Sequence, residues 1–205
     1  MHLPSVVVFD LGKVLVDFDY AIAARRIAAR GKMTLAEIAQ FIQQSPLFLQ
    51  YESGAVTTQQ FFDEIRRVTG FLGSLAEFSQ CFADIFSPIE PMIQLQAALQ
   101  RRGLRAYAFS NTNELAIEHI RRTFPFYASF DGHILSYEHG AMKPDARLYE
   151  VLERRAGAHG ADLLYLDDRP ENVAAGAARG WQAILQESPE KTLAAIRQLG
   201  LLNHS

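Results

Sequence analysis

Short apolar runs alternate with amphipathic stretches along most of the chain. Runs rich in aliphatic and aromatic residues predict strands at residues 6–9, 104–109, 132–135, 163–166 and 181–185. Helical spacing predicts helices at residues 92–101, 114–122, 145–155 and 171–179, and Ser188 with Pro189 marks the start of a last helix. Strands that alternate with helices form βαβ units. The pattern therefore predicts an α/β fold, with a Rossmann-like core of three layers around a mostly parallel sheet.

One long segment breaks this alternation. Residues 20–86 carry helical patterns with no strand between them. Thr34 with Glu37, and Thr57 with Gln60, have the spacing of capping boxes and predict two helix starts. We interpret the segment as an all-helical cap inserted after the first strand. The predicted boundaries are residues 1–17 and 88–205 for the core and residues 18–87 for the cap.

Composition and charge indicate which partners and which compartment to expect. The chain has 205 residues, 49% of them hydrophobic and 21% charged, with a formal net charge of −3. This balance gives no electrostatic reason to expect nucleic acid or a membrane surface as a partner. Cys81 is the single cysteine, so an internal disulfide is impossible. The first strand begins too early to leave room for a signal peptide. We therefore expect a cytoplasmic protein, and its oligomeric state stays open.

Charged side chains follow the predicted strands at the points where the strands end. Asp10 comes directly after the first strand, and Asp167 with Asp168 follows the strand at 163–166. The carboxyl ends of parallel strands share one edge of a sheet, where ligands bind in open α/β folds. Three carboxylates that meet there need compensating positive charge. Lys143 can supply one charge, and a divalent ion that prefers oxygen ligands, Mg²⁺, can supply the rest.

Neutral hydrogen-bond donors are expected beside these charged side chains. Ser110 and Asn111 follow the strand at 104–109, and their side chains suit a phosphate group. The backbone amides of Leu11 and Gly12 could add donors if the turn after Asp10 forms a nest. A nucleophilic carboxylate, a hard cation, a lysine and a hydroxyl are what phosphoryl transfer through an aspartyl-phosphate requires.

The order and spacing of these residues resemble a known family. Nearly the whole chain is similar to the haloacid dehalogenase-like hydrolases, including the position of their small helical cap. Three segments are most similar to the branch with bacterial α-glucose-1-phosphate phosphatases and the phosphatase domain of epoxide hydrolases. They are Glu52-Ser53-Gly54, Ser110-Asn111-Thr112-Asn113 and Asp167-Asp168 followed by Asn172. The four motifs that carry the resemblance are Asp10, Ser110-Asn111, Lys143-Pro144 and Asp167-Asp168.

The resemblance implies a role for each residue. Asp10 would be the nucleophile and a metal ligand, and the backbone oxygen of Gly12 would also bind Mg²⁺. Lys143 would neutralise the phosphate together with Asp10. Asp168 would bind the metal directly or through water, with Asp167 behind it, although the sequence leaves the order of these two open.

The phosphate-binding roles come from the same resemblance. Ser110 would bind the transferring phosphate, and Asn111 would help to orient it. With the amides of Leu11 and Gly12 and the ammonium of Lys143, these residues form the predicted substrate site.

One position departs from the family pattern. Most phosphatases of the family have an aspartate two residues after the nucleophile, which protonates the leaving group, whereas this chain has Gly12. General acid–base catalysis typically contributes about 10²–10⁴-fold to a rate. Asp17 or a residue of the cap could take over this role.

Three functions are consistent with these residues. The first is a Mg²⁺-dependent phosphatase for a small phosphorylated metabolite, such as a sugar phosphate. The second is a 2-haloacid dehalogenase in which Asp10 attacks carbon without a metal. The third is a non-catalytic phosphate-binding or regulatory protein that kept the fold, a hypothesis that the glycine at position 12 supports.

Overall fold

Seven strands and eleven α-helices form within residues 2–202, the part of the chain that the computed structural model describes. The strands are β1 (Val6–Phe9), β2 (Val16–Phe18), β3 (Phe86–Pro88), β4 (Arg105–Ser110), β5 (Gly132–Leu135), β6 (Leu163–Asp167) and β7 (Gln182–Leu185). The helices are α1 (Tyr20–Ala28), α2 (Leu35–Gln44), α3 (Leu47–Glu52), α4 (Thr58–Thr69), α5 (Leu75–Ala83), α6 (Glu90–Arg101), α7 (Glu114–Thr123), α8 (Ser136–His139), α9 (Ala146–Ala156), α10 (Pro170–Ala178) and α11 (Pro189–Gln198).

A parallel sheet of five strands forms the core, in the order β5-β4-β1-β6-β7. Side chains alternate between the two faces of each strand. Val7 and Phe9 of β1 therefore pack with α6, α7 and α11 on one face, while Val6 and Val8 pack with α9 on the other. This arrangement confirms the predicted α/β fold of three layers.

Helices α1 to α5 form a second hydrophobic cluster, which we call the helical insert (residues 20–83). Its centre is a group of aromatic rings, among them Phe61, Phe78 and Phe82, with the Phe61 and Phe82 centroids 5.2 Å apart. The two predicted capping boxes are confirmed at the starts of α2 and α4. A third capping box, between Ser74 and Glu77, opens α5 and was not predicted.

An antiparallel ribbon of β2 and β3 lies where the chain enters and leaves the helical insert. Val16 pairs with Pro88, and Phe18 pairs with Phe86. The sequence analysis did not predict these strands, because three residues are too few for an alternating pattern to show. The predicted boundaries of the cap, between residues 17 and 18 and between residues 87 and 88, fall within this ribbon. They stay a prediction. Met1 and residues 203–205 of the predicted core lie outside the described residues.

The predicted strands and helices of the core begin and end within about two residues of the observed positions, whereas the short helix α8 was not predicted. Ser188 caps α11 as predicted, accepting a hydrogen bond from the backbone of Lys191. Within residues 2–202, none of the helices has the length and apolar character that a membrane span requires.

Candidate active site

Lys143 lies buried between two carboxylates at the carboxyl edge of the sheet. Its Nζ atom is 3.2 Å from Oδ2 of Asp10, which follows β1, and 2.5 Å from Oδ2 of Asp167, which ends β6. It also donates a hydrogen bond of 2.7 Å to the carbonyl of Phe109 in β4. Lys143 comes from the loop between α8 and α9, so four separate chain segments meet at one ammonium group.

The side chain of Asn111 fixes the backbone of Lys143. Its Oδ1 accepts a hydrogen bond of 2.7 Å from the Lys143 amide, and its Nδ2 donates one of 3.0 Å to the Lys143 carbonyl. Asn111 also lines the adjoining cavity. Its predicted contact with phosphate stays a prediction, and the observed contacts add a role in orienting the lysine.

Asp167 is the most deeply held acid of the site, with none of its surface exposed. It accepts hydrogen bonds from the Tyr165 hydroxyl (2.5 Å), the Asn172 amide (3.0 Å) and the backbone of Arg169 (2.9 Å). Burial alone would raise the pKa of Asp167, but Lys143 and these hydrogen bonds together hold the pKa below its usual range. Asp167 is therefore ionised at neutral pH.

Asp10 is presented by a tight turn. The backbone amide of Leu11 donates a hydrogen bond of 2.7 Å to Oδ1 of Asp10, and the Leu11 carbonyl accepts one of 2.9 Å from Val16. Burial raises the pKa of Asp10, and the nearby charge of Asp167 raises it further, against the opposing effect of Lys143. The nucleophile candidate is thus desolvated and points toward the sheet edge.

Three carboxylates at this edge fit a divalent cation. Asp10, Asp167 and Asp168 each offer an oxygen, and these oxygens all lie within 4.8 Å of one another. Burial raises the pKa of Asp168, and Asp167 raises it further, so negative charge is in excess here despite Lys143. A hard cation with oxygen ligands would relieve this repulsion, and Mg²⁺ has these preferences.

A polar cavity of about 170 Å³ opens directly above these acids. The predicted site residues that line it are Asp10, Gly12, Ser110, Asn111, Lys143 and Asp168. Leu11 lines an adjoining cavity of about 60 Å³. Of the predicted site residues, Asp167 is the one placed below the cavity rather than on its wall.

Further side chains on the cavity wall were not predicted as site residues: Lys13, Phe18, Tyr20, Glu52, Arg169 and Asn172. Glu52 ends α3 of the helical insert. Burial raises the pKa of Glu52 to about 7, opposed by Arg169 and supported by the charge of Asp10. The sequence singled out Glu52 as part of a family-like segment, but no pattern in the sequence placed it over the sheet edge.

Asp17, proposed from the sequence as one possible substitute acid, is not on the cavity wall. Its carboxylate is more than half exposed and pairs with Lys13. The hydrogen bond from Lys13 lowers the pKa of Asp17, so it carries no proton at neutral pH.

Comparisons with known proteins find similar sequences over most of the chain. A family model described as haloacid dehalogenase-like hydrolase matches residues 4–180. A sesquiterpene phosphatase of Aspergillus oryzae is 24% identical over 195 residues, which cover 94% of this chain and 94% of the relative. A D-ribitol-5-phosphate phosphatase of Bacteroides thetaiotaomicron is 23% identical over 189 residues, which cover 89% of this chain and 91% of the relative.

A solved structure shows the same fold. It is a HAD family enzyme of Bacteroides thetaiotaomicron in complex with magnesium and inorganic phosphate. It superposes with a TM-score of 0.77 at 24% identity, covering 89% of this chain and 93% of that chain.

Proposed function

Because the chain belongs to the haloacid dehalogenase-like hydrolases, we propose that it is a Mg²⁺-dependent phosphatase acting on a small phosphorylated metabolite. The observation that carries this proposal is the buried ammonium of Lys143, held between Asp10 and Asp167 under a polar cavity. A buried positive charge beside a nucleophilic carboxylate suits a dianionic group better than a neutral carbon centre.

Asp10 begins the reaction by attacking phosphorus, which forms an aspartyl-phosphate and releases the alcohol. Water then attacks the same phosphorus and returns Asp10 to its free carboxylate. Lys143 balances the charge of the phosphate and of Asp10 throughout, and the hydroxyl of Ser110 donates to a phosphate oxygen. The Leu11 amide already donates to Asp10 and holds the attacking oxygen in position.

Asp10, Asp168 and the backbone oxygen of Gly12 would hold Mg²⁺, with Asp167 supporting them from below. When bound, the ion would supply Lewis-acid stabilisation of the phosphate oxygens. The phosphatase relatives and the magnesium and phosphate complex of the structural neighbour support this assignment.

The side chains around the cavity favour a small hydroxylated substrate. The cavity, of about 170 Å³, is lined by Phe18 and Tyr20 as well as by polar side chains. Charged and amide side chains on its wall could bind hydroxyl groups. We therefore propose a sugar phosphate or polyol phosphate as the substrate class, in keeping with the D-ribitol-5-phosphate activity of one relative.

Replacement of the nucleophile tests this function. We expect Asp10→Asn to abolish Mg²⁺-dependent release of phosphate from p-nitrophenyl phosphate, because an amide cannot form the covalent intermediate. Asp17→Asn removes the same charge from an exposed position outside the cavity and should retain activity. Turnover by the Asp10 variant would rule out the assigned nucleophile, and halide release from 2-haloacids that a chelator leaves unchanged would support dehalogenation instead.

A further inference from the structure

A departing alcohol needs a proton, and position 12 cannot provide it. An alkoxide is a poor leaving group, so a proton delivered as its bond breaks typically accelerates the step by about 10²–10⁴-fold. Gly12 has no side chain, and a Cβ atom there would lie 2.9 Å from Cε1 of Phe18. The ring of Phe18 therefore occupies the space that a side chain at position 12 would enter.

The two lysines on the cavity wall already make ion pairs with aspartates. Lys143 is held by Asp10, Asp167 and the Phe109 carbonyl. Lys13 pairs with Asp17 on the open side of the turn. Neither ammonium group is free to serve as a proton donor to the substrate.

The remaining donors on the wall are poor acids. Arg169 pairs with Glu171 at 2.6 Å, and a guanidinium keeps its proton at neutral pH. Burial raises the pKa of the Tyr20 phenol above its usual range, so this hydroxyl yields its proton less readily than an ordinary tyrosine. Asp168 belongs to the proposed cation site. This elimination leaves one carboxyl group on the wall, that of Glu52.

Glu52 lies where two cavities meet. It lines the polar cavity and also the adjoining cavity of about 60 Å³, and both cavities contact Gly12 and Ser110. Among residues 2–202, no side chain makes a hydrogen bond or a close ion pair with its carboxyl group. The carboxyl group is thus available to a substrate atom in the cavity that Glu52 shares with Asp10.

The backbone around Glu52 is hydrogen-bonded to the core and packs against it. The position of Glu52 therefore does not depend on the helical insert alone. The hydroxyl of Ser136, which is fully buried, donates a hydrogen bond of 2.5 Å to the Glu52 carbonyl. Two residues later, Gly54 has a φ of +73°, and a Cβ atom there would lie 2.2 Å from the Tyr137 carbonyl oxygen. The segment after α3 therefore packs directly against the backbone at the start of α8.

We propose that Glu52 is the general acid and general base of the reaction, supplied by the helical insert in place of a side chain at position 12. This inference rests on the proposed phosphatase function. It identifies which residue moves the proton.

The proton balance is complete within the site. As the bond from Asp10 to phosphorus forms, the bond from phosphorus to the ester oxygen breaks, and that oxygen takes the proton of Glu52. In the second step, water forms a bond to phosphorus, the bond from Asp10 to phosphorus breaks, and the water proton returns to Glu52.

The electrostatics of Glu52 suit this role. Burial raises its pKa to about 7, so both the acid and the carboxylate are populated near neutral pH. The charged and titratable groups that share its cavity are Asp10, Lys13, Tyr20, Lys143, Asp168 and Arg169.

Leaving-group dependence tests the proposal. We would measure kcat/KM of the wild type and of Glu52→Gln with Mg²⁺ on p-nitrophenyl phosphate, whose phenolate leaves without a proton, and on a panel of sugar and polyol phosphates. For the alkyl esters we expect kcat/KM to fall by about 10²–10⁴-fold, and for the aryl ester by less than about threefold. The ratio kcat/KM reports the steps up to ester cleavage and excludes the hydrolysis of the aspartyl-phosphate, which both kinds of ester share. Glu138→Gln removes the same charge from an exposed position on α8 and should match the wild type on both.

Three outcomes would overturn the proposal. Equal losses of kcat/KM on both kinds of ester would indicate a structural role for Glu52. Unchanged rates on the alkyl esters, or a wild type that hydrolyses only aryl esters, would mean that Glu52 transfers no proton. A wild type that releases no phosphate from any ester would instead refute the proposed function itself.

A second variant separates proton transfer from folding. Glu52→Ala removes the carboxyl group and leaves space for a small acid. We expect formate to restore part of the alkyl phosphate turnover of this variant and to leave Glu52→Gln unchanged. Failure of formate to rescue a folded Glu52→Ala enzyme, together with equal losses on both esters, would contradict a proton-transfer role.

Discussion

At the scale of single residues, the two carboxylates that contact Lys143 differ in their electrostatic state. Asp167 is ionised and fully satisfied, whereas the neighbouring Asp10 is desolvated and has a raised pKa. One carboxylate thus stabilises the buried ammonium, whereas the folded site disfavours the charge of the other.

This asymmetry predicts different stabilities for two substitutions. Asp167→Asn should lower the free energy of unfolding by about 3 kcal/mol in Mg²⁺-free buffer at pH 7, because it removes the nearest partner of a buried charge. Asp10→Asn should cost less, because Asp10 is the more distant partner of Lys143 and its raised pKa shows that the folded site disfavours its charge. Urea denaturation of both variants measures this difference, and equal losses would contradict it.

The contribution of Asp167 to the stability of the fold depends on pH, and the direction of its pKa shift determines how. Its pKa is lower in the folded protein than the ordinary value of 3.8. The stabilisation is therefore present in full above that value and is lost as the pH falls through the folded-state pKa. At acidic pH, we expect the stability difference between the wild type and Asp167→Asn to shrink.

Some site residues could be predicted from the sequence and others could not, for a physical reason. Asp10, Ser110 and Asp167 follow or end buried strands, and a parallel sheet brings such positions together whatever the loops do. Glu52 and Tyr20 reach the same cavity from the helical insert. Their position depends on how the insert packs on the core, and hydrophobic periodicity carries no information about that packing.

At the level of elements, the short helix α3 is the link between the helical insert and the site. The ring of Tyr51 stacks on Phe61 with centroids 4.3 Å apart, and its hydroxyl accepts a hydrogen bond of 3.2 Å from the amide of Leu115 in α7. Glu52 follows directly, and its carbonyl is bound by Ser136. Neighbouring residues of α3 are therefore anchored to the insert and to the core at once.

Because Gly54 has no side chain, the segment after α3 can approach α8 closely. Alanine substitutions at Gly54 and at a control glycine should therefore lower the free energy of unfolding by different amounts. Gly157 also has a positive φ, of 59°, but a Cβ atom there would meet nothing within 4 Å. Gly157→Ala should cost about 1 kcal/mol of stability from backbone conformation alone. Gly54→Ala should cost more, because its Cβ would collide with the Tyr137 carbonyl.

Gly54→Ala should also lower the turnover of alkyl phosphates, because the collision displaces Glu52. Thermal unfolding and steady-state kinetics of both variants measure these effects. If Gly54→Ala matched Gly157→Ala in stability and in rate, the close packing between α3 and α8 would not be important for the site.

The same distinction applies to the strands. The core strands have a local sequence pattern, whereas β2 and β3 do not. The strands of the core sheet were predictable because each contains a short apolar run that interrupts the helical pattern, even at the partly exposed edge strands β5 and β7. The β2–β3 ribbon was not, since its three-residue strands pair across some 70 residues of chain. Pairing at that distance is specified by tertiary structure and leaves no local signal.

At the scale of the whole molecule, the cluster of acids links metal binding to folding. The unfolded chain has no such cluster, so an ion that binds only the folded state must stabilise it. At a Mg²⁺ concentration of 100 times Kd, the gain is about 2.7 kcal/mol.

We therefore expect Mg²⁺ to raise Tm by about 5–10 °C for a chain of this size. Asp168→Ala should remove most of this increase, whereas Asp63→Ala, at an exposed position of the helical insert, should keep it. Differential scanning calorimetry with and without EDTA measures the shift. A full shift in the Asp168 variant would exclude that residue as a ligand.

The β2–β3 ribbon has a consequence for how such a protein can diversify. Val16 and Pro88 lie side by side, so the polypeptide leaves the core and returns to it at nearly the same point. A different set of helices could be grafted between these two positions without disturbing the register of the central sheet. Evolution, or a protein engineer, could in this way replace the whole helical insert while Asp10 and Lys143 keep their places in the core.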